Sequence, residues 1–379
     1  MSDSAFSSQF QSSYDYVSDL VAQRELSQDY SWLLNGSVNF VPDYFTIRTL
    51  GRNGVERFLN FGLSNRFGKF NLSYIAMKRF MGLFYDVICP ELNDSYQWLS
   101  NRLIKAPSAM MDWTLVEFFL FMEHWLRSTL KDDRMLFFDT KMDLNRQAMD
   151  LVSSIELPRV NRLALLLNAS CYANWLDVIV ADFDCRKSQV FSYLKDMFHQ
   201  GVWPVRDDVL KAFGESEFIV YECDNAGEVV FDLMVVLELI KCGKSVTMVA
   251  KSSPILNDIT TDEIHDLVNS VSLFLPLKNA LGREFLIISA NDFPMVGKYL
   301  PKVTEDYRNA FLKADLVWLK GQANFQTMPR VHFHLKKYNY DYHPKVGVSF
   351  IAKAPIVQYC LRYSNIKKVA IGDALMTLI

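Results

Sequence analysis

The chain of 379 residues has no excess of either charge and no long uncharged apolar run. Its formal net charge is −3, from 40 Lys and Arg against 43 Asp and Glu. Nucleic-acid-binding domains usually carry a basic patch or a basic excess, so we expect no nucleic-acid partner. The most apolar runs, such as 229–240, contain acidic residues and are too short to span a bilayer, so we also expect no membrane partner.

Paired cysteines and a leader pattern are missing as well. The six cysteines are scattered and none forms a C-x-x-C pair, which argues against a disulfide framework and favours a reducing compartment. The opening MSDSAFSSQFQSSYDY lacks the basic start and apolar stretch of a signal peptide. We therefore expect a cytoplasmic protein.

The apolar half of the composition predicts a large core, which the pattern divides into regions. Residues 1–15 are polar and serine-rich, so they predict a mobile tail. Residues 16–200 predict a mostly helical region, because runs such as 113–130 and 163–180 are long, apolar on more than one face and free of Gly and Pro. Residues 201–379 predict an α/β domain, in which most of the candidate functional residues lie.

In that last region, short apolar runs alternate with helical patterns. Helices are predicted at 229–241, 261–271 and 304–313. Strands are predicted at 218–223, 245–250, 284–289, 315–319, 346–352 and 368–371. Continuous apolar strands separated by helices indicate a mainly parallel sheet covered on both faces. The fold class predicted is therefore α/β, with a doubly wound, Rossmann-like sheet and a mostly helical N-terminal region.

Polar side chains follow three of these predicted strands. Asp224 and Asn225 come after the first strand, Asp258 follows the second after a short loop, and Lys320 follows the strand at 315–319. Ligands of such sheets bind at the carboxyl ends of the strands. Hard oxygen ligands suit Mg²⁺ or Mn²⁺ better than zinc, and a lysine can reach a phosphate oxygen. The three strand ends together predict a site for a metal and a phosphate.

Each motif taken alone also has a structural interpretation. Asp-Asn-x-Gly is a common turn, and Asp258, Thr260 or Thr261 can cap the following helix. Glu228 either orients a water molecule or is an acid favoured by the dipole at the start of a helix. The coincidence at three strand ends favours the functional interpretation.

Three ordered motifs resemble the damage-control phosphatases, formerly a domain of unknown function numbered 89. They are DNAGEVVFD from Asp224 to Asp232, PILNDIT from Pro254 to Thr260, and ADLVWLKGQANF from Ala314 to Phe325. The resemblance implies that Asp224, Asn225 and Asp258 are metal ligands. It also implies that Lys320 binds phosphate and that Asp224, Asp258 and Lys320 are the catalytic residues.

Further positions extend the resemblance. The segments ANWLD and FIAKAP resemble family elements that line the site. They imply substrate- or phosphate-binding roles for Asn174, Asp177 and Lys353, and the third motif implies the same for Asn324. Glu228 belongs to this set under the interpretation in which it orients a water molecule.

Some positions depart from the family pattern. Ala173 stands where glycine is usual, and Met122 stands where one branch has an arginine. Residues 112–117 and 138–141 resemble that branch, which includes a proposed acidic-residue methyltransferase. The alanine would narrow that edge of the site, and the absence of the arginine bears on substrate choice. The three phosphatase motifs are unchanged by these departures.

The resemblance implies a metal-dependent phosphatase that hydrolyses a small phosphorylated metabolite, such as a sugar phosphate or a phosphopantetheine-like compound, by a metal-activated water. The cofactor expected is a divalent metal, namely Mn, Mg, Co or Ni. Two alternatives stay open at this point. One is an S-adenosylmethionine-dependent protein carboxyl methyltransferase, and the other is a non-catalytic binding module. The sequence leaves the oligomeric state open.

Overall fold

The computed structural model divides the chain into two compact units, Met1–Leu136 and Phe137–Ile379. Only residues 11–13, 15–16 and 18–19 of the first unit are described. The second unit is described except at residues 159, 178–183, 202–203, 282, 284–285, 292–296, 299–302, 328–343, 354–368 and 371.

The second unit alternates helices and strands after an opening helical stretch. The helices are α1 Phe138–Ser154, α2 Arg162–Ala173, α3 Asp184–Gln200, α4 Asp207–Glu215, α5 Glu228–Lys241, α6 Thr261–Ser270, α7 Leu275–Ala280, α8 Glu305–Lys313 and α9 Gln322–Thr327. Short 3₁₀ turns cover Asn174–Leu176 and Ser272–Phe274. The strands are β1 Phe218–Glu222, β2 Ser245–Lys251, β3 Leu286–Asn291, β4 Leu316–Lys320, β5 Lys345–Ile351 and β6 Ala374–Leu378.

These strands form one sheet in the order β3-β2-β1-β4-β5-β6. Neighbours from β3 to β5 are parallel, and β6 pairs antiparallel with β5 at the edge. The chain builds outward from β1 to β3 and then returns to place β4 on the other side of β1. The prediction of an α/β fold with a mainly parallel sheet is confirmed, and the switch point lies between β1 and β4.

Helices cover both faces of this sheet. Successive side chains of a strand point to opposite faces. Tyr221 donates a hydrogen bond to Asp232 of α5, whereas the next residue, Glu222, accepts one from Tyr307 of α8. Helix α5 therefore lies on one face and α8 on the other, which agrees with strands buried on both sides.

Helix α5 forms the centre of the core. It begins after Gly227, whose φ of 79° places it in the left-handed region that favours glycine. Its residues are buried almost throughout, from Glu228 to Leu239, as expected for a helix that is apolar on all sides. Helix α2 packs against it, and a left-handed Gly243 follows its end.

Thr260 is the residue that caps α6. Its side chain accepts a hydrogen bond from the backbone of Glu263, and the Glu263 side chain bonds back to the Thr260 backbone, which completes a capping box. The alternative that Asp258 is only a helix cap is therefore wrong.

Some predicted elements differ from the structure. Helix α2 ends at Ala173 and gives way to a 3₁₀ turn, so the predicted helical run 163–180 is interrupted. Residues 369–370 of the predicted strand 368–371 are not a strand, and the edge strand lies instead at Ala374–Leu378. The last strand was predicted at 368–371 instead of 374–378 because both segments are short and apolar.

The predicted domain limits, 1–15, 16–200 and 201–379, stay a prediction. Helices α1 to α3 belong to the same compact unit as the sheet. The predicted helix 113–130, with Met122, lies outside the described residues, as does most of the predicted tail. No helix in the described part of the chain has the length and apolarity that crossing a membrane requires.

Candidate metal and phosphate site

The loops that follow β1 and β2 are joined to each other. Asn225 and Asp258 form an isolated antiparallel bridge. The Ile259 amide donates to the Asp224 carbonyl at 2.8 Å, and the Ala226 amide donates to the Asn257 carbonyl at 2.9 Å. This backbone pairing brings the predicted ligand residues together at the carboxyl end of β1, beside the switch point.

Asp224 is held in place by two amides and a glycine. Its Oδ2 accepts hydrogen bonds from Asn174 Nδ2 at 2.8 Å and from Asn225 Nδ2 at 2.7 Å. A Cβ on Gly321 would lie 2.0 Å from the same oxygen, and Gly321 has φ of +77°. Only glycine therefore allows the loop after β4 to approach Asp224 so closely.

Asn174 connects this carboxylate to two other elements. Its Nδ2 also donates to Glu228 Oε2 at 2.8 Å, and its Oδ1 accepts from the Ile351 amide at 3.0 Å. The 3₁₀ turn, the start of α5 and the end of β5 are thus tied together at the site. The adjacent Ala173 is fully buried.

The site has more negative than positive charge. Its carboxylates are Asp177, Glu222, Asp224, Glu228, Asp232 and Asp258, and its lysines are Lys251, Lys298, Lys320 and Lys353. Burial raises the pKa of Asp224 well above its ordinary value, and the charges of Glu228 and Asp258 raise it further.

A divalent cation fits this donor set. It would balance the excess of carboxylates and relieve the repulsion that raises the pKa of Asp224. Among the described residues no three His, Cys, Asp or Glu side chains form a metal cluster. The candidate set is instead two carboxylates, Asp224 and Asp258, and the amide Asn225, a combination of hard oxygens.

Lys320 lies beneath this set, in the interior. It is fully buried, and its ammonium group donates to Glu228 Oε1 at 2.5 Å and to the Ser170 carbonyl at 2.9 Å, with Asp232 Oδ1 at 3.5 Å. Burial acts to lower the pKa of Lys320, but Asp232 and Glu228 outweigh it, and the net shift is upward. Phosphate binding by Lys320 stays a prediction.

Glu228 begins α5 and is fully buried. Its carboxylate is shared between Lys320, Asn174 and Asn225. It is thus an acid at the start of a helix, while its water-orienting role stays a prediction. One turn later, Asp232 accepts hydrogen bonds from Ser170 and Tyr221. Burial raises the pKa of Asp232 to about 6.

Lys353 and Asp177 form the other edge of the site. Lys353 Nζ donates to Asp177 Oδ2 at 2.9 Å, and Asp177 is partly exposed. Asn324 donates to the carbonyls of Cys223 and Lys320 at 3.0 and 2.9 Å, so it joins the loop after β4 to the end of β1. The substrate-binding roles of these three residues stay predictions.

A second buried network was missed by the sequence analysis. Glu222 binds Lys298 and accepts from Tyr307 at 2.5 Å, and Lys251 Nζ lies 3.6 Å from Asp258 Oδ2. Lys251 has the same signal that singled out Lys320, a lysine at the carboxyl end of a strand. The predicted strand stopped at Ala250, one residue too soon.

A groove of about 530 Å³ lies at the opposite end of the same strands. Its walls include Phe218, Ser245 and Ile287, together with Asn309 and Lys313 of α8. It begins at the amino ends of β1 and β2, so it is separate from the site at their carboxyl ends.

Fold and site define a doubly wound α/β protein with an acid and amide cluster at the switch point. The chain belongs to the damage-control phosphatase ARMT1-like domain family, which it matches over residues 102–339. The resemblance seen in the three sequence motifs is thereby confirmed.

Curated relatives come from three archaea. The chain is 31% identical over 110 residues, 29% of its own length, to an uncharacterized protein of Methanocaldococcus jannaschii, and this covers 32% of that protein. It is 29% identical over 130 residues to a damage-control phosphatase of Pyrococcus horikoshii, covering 33% of the chain and 41% of the relative. It is 23% identical over 186 residues to a damage-control phosphatase of Archaeoglobus fulgidus, covering 49% of the chain and 60% of the relative.

The chain thus spans less than two thirds of each of these relatives. The named phosphatases support a phosphatase-like function. A crystal structure of a DUF89 family protein from Pyrococcus horikoshii is similar in fold, with a TM-score of 0.50 at 19% identity. The likeness covers 77% of this chain and 90% of that one.

Proposed function

We propose that the chain is a divalent-metal-dependent phosphatase that hydrolyses a small phosphorylated metabolite, a sugar phosphate or a phosphopantetheine-like compound. The observation that supports this most is the pairing of the loops that carry Asp224, Asn225 and Asp258. Their oxygens suit Mg²⁺ or Mn²⁺, and Co²⁺ or Ni²⁺ are further candidates. Membership in the phosphatase family makes phosphate ester hydrolysis the reaction to test.

The reaction joins a water oxygen to phosphorus while the bond between phosphorus and the ester oxygen breaks. One proton of the water passes to the leaving oxygen, so the products are an alcohol and inorganic phosphate. The phosphate dianion repels an attacking nucleophile. A bound divalent ion supplies polarisation of the phosphoryl oxygens and a bound water of lowered pKa.

The residues of the chain position these groups. Asn174 and Asn225 fix Asp224 through Oδ2, and Oδ1 accepts no hydrogen bond from the described residues, so it is the oxygen we assign to the ion. The same assignment makes a covalent phosphoenzyme on Asp224 unnecessary. Lys320 and Glu228 support the cluster from within, and Lys353 with Asp177 faces the substrate.

The test is phosphate release by the full chain from a panel of phosphometabolites and p-nitrophenyl phosphate. The chain is assayed with chelator and with Mg²⁺, Mn²⁺, Co²⁺ or Ni²⁺. We expect release that requires metal and that Asp258→Asn lowers by about a hundredfold or more, since a lost ligand charge weakens metal binding and transition-state stabilisation. Asp262→Asn is the matched control, because Asp262 is an exposed acid in the first turn of α6.

Either of two results would contradict the proposal. One is no release under any metal, which would shift support to the methyltransferase or to the binding module. The other is release that the chelator does not reduce.

A further inference from the structure

Strand β2 ends at Lys251, next to the loop that carries Asp258. The Lys251 amide donates to the Ile259 carbonyl at 3.1 Å, and Lys251 forms a parallel bridge with Thr260. Two backbone contacts therefore hold Lys251 against the residues that flank Asp258. Its position relative to the candidate metal ligands is fixed by the fold and not by its side chain alone.

The ammonium group of Lys251 is buried, and only part of its hydrogen-bonding capacity is used. Its side chain is 3% exposed, and Nζ donates to the Gly297 carbonyl. Asp258 Oδ2 lies at 3.6 Å, beyond ordinary hydrogen-bond distance. An ammonium has three donors, and within the described part of the chain only one of them makes a hydrogen bond.

Positive charge is crowded at this point. Lys298 is a second fully buried lysine, paired with Glu222. Burial lowers the pKa of Lys298, and the nearby charge of Lys251 lowers it further against the opposing effect of Glu222. A cation on Asp258 would add to this positive charge, so an anion placed beside Lys251 would relieve it.

We propose that Lys251 binds a phosphoryl oxygen of the substrate, forming with the Asp258 loop an anion subsite of the catalytic centre. This inference rests on the proposed function, which supplies the phosphorylated ligand. Lys251 would contact the transferring group from the side of the Asp258 loop, so that its charge adds to that of the candidate ion in neutralising negative charge. The ligand class is a phosphate monoester dianion or its product, inorganic phosphate.

The experiment measures binding of inorganic phosphate to the Mn²⁺-loaded full chain by isothermal titration calorimetry. Lys251→Met removes the charge and keeps the length of the side chain. Lys244→Met is the matched control, because Lys244 precedes the other end of β2 and also donates to a glycine carbonyl, that of Gly214 at 2.6 Å. Mn²⁺ affinity is measured separately by electron paramagnetic resonance.

We expect Lys251→Met to weaken phosphate binding by about tenfold or more, the size of a charge-assisted hydrogen bond. Mn²⁺ affinity should stay equal or rise, because a like charge has been removed from beside Asp258. Lys244→Met should change neither affinity, and Lys251→Arg should restore part of the phosphate binding.

Three outcomes would overturn the inference. They are no phosphate binding by the wild type, unchanged phosphate affinity in Lys251→Met, or a joint fall of phosphate affinity, Mn²⁺ affinity and melting temperature, which marks a structural role. The phosphate-release assay distinguishes failure of this inference from failure of the proposed function. Phosphate binding that depends on Lys251 without any hydrolysis would keep the subsite and reject the phosphatase. Hydrolysis by the wild type together with unchanged phosphate binding in Lys251→Met would keep the phosphatase and reject the subsite.

Discussion

Lys320 and Lys251 are both buried lysines at the carboxyl ends of parallel strands, yet their surroundings differ. The ammonium group of Lys320 is directed at Glu228, Asp232 and a carbonyl within the protein. Lys251 uses one carbonyl and lies 3.6 Å from a carboxylate of the candidate metal site. A lysine at a strand end can therefore either stabilise the interior or bind a ligand, and its partners decide which.

The register of the sheet explains the difference. Glu222 of β1 is level with Val249 of β2 and with Leu319 of β4. Level residues on paired strands point to the same face, and the side chain alternates with each step along a strand. Lys251, two residues after Val249, shares the face of Glu222, whereas Lys320, one residue after Leu319, points to the opposite face. That face carries α5 and its two acids.

The largest effect expected from this comparison is on stability. Lys320→Met should lower the free energy of unfolding by about 3–5 kcal/mol, because it leaves Glu228 and Asp232 buried without their cation. Lys251→Met should cost less, about 1–3 kcal/mol, because it removes one buried hydrogen bond, to the Gly297 carbonyl, and only a long ion pair. Urea unfolding of the two variants beside the wild type measures both. Equal losses would abolish the distinction between the two lysines.

The next effect concerns the approach of the β4 loop to Asp224. Gly321→Ala would place a Cβ 2.0 Å from Asp224 Oδ2 in a left-handed conformation, so the carboxylate must move. We expect Mn²⁺ affinity to fall by about a hundredfold. Gly214→Ala is the control, because a Cβ there meets nothing within 4 Å. Unchanged Mn²⁺ affinity in Gly321→Ala would show that Asp224 is not a ligand in this position.

The smallest effect is the pH dependence of the interior network. Burial raises the pKa of Asp232 from 3.8 to about 6. A raised pKa in the folded state stabilises the fold below the ordinary pKa, and this contribution is lost as the pH rises through 6. Asp232→Asn has no carboxyl to titrate and lacks this loss, so its unfolding free energy relative to wild type should rise between pH 4 and pH 7 by about 2 kcal/mol.

Urea unfolding at several pH values, with chelator present, tests this. A difference between Asp232→Asn and wild type that stays constant with pH would mean that Asp232 titrates alike in the folded and unfolded chain. The same series on Lys251→Met should follow the wild type, because Lys251 does not contact Asp232.

Local pattern was sufficient for the α/β order of the second unit. Continuous apolar runs such as 218–223 and 245–250 fell on buried parallel strands, and Thr260 and Thr304 cap α6 and α8 where the helical patterns begin. These predictions were possible because strand periodicity, helix periodicity and helix capping each depend on residues only a few positions apart. The edge strand β6 was missed because the short apolar run 368–371 was taken for the last strand instead of 374–378.

The candidate ligands were also within reach of the sequence. Asp224 and Asn225 stand directly after one predicted strand, and Asp258 stands a short loop after the next. Parallel strands bring their carboxyl ends to one edge. Lys251 was missed because the limit of a strand is uncertain by a residue or two from pattern alone. Asp232 stands in the quoted DNAGEVVFD motif, but nothing local shows that its side chain reaches Tyr221 and Lys320.

The sequence by itself determined the class of fold and the family, and it singled out the strand ends that carry the candidate oxygen ligands, since these depend on periodicity and on short ordered motifs. Only the tertiary structure decided how each charge is partnered. The sheet register turns Lys320 toward Glu228 and Asp232 and turns Lys251 toward Asp258. Burial then sets which carboxylates lose water and which donors remain for a ligand, and that depends on residues far apart in the chain.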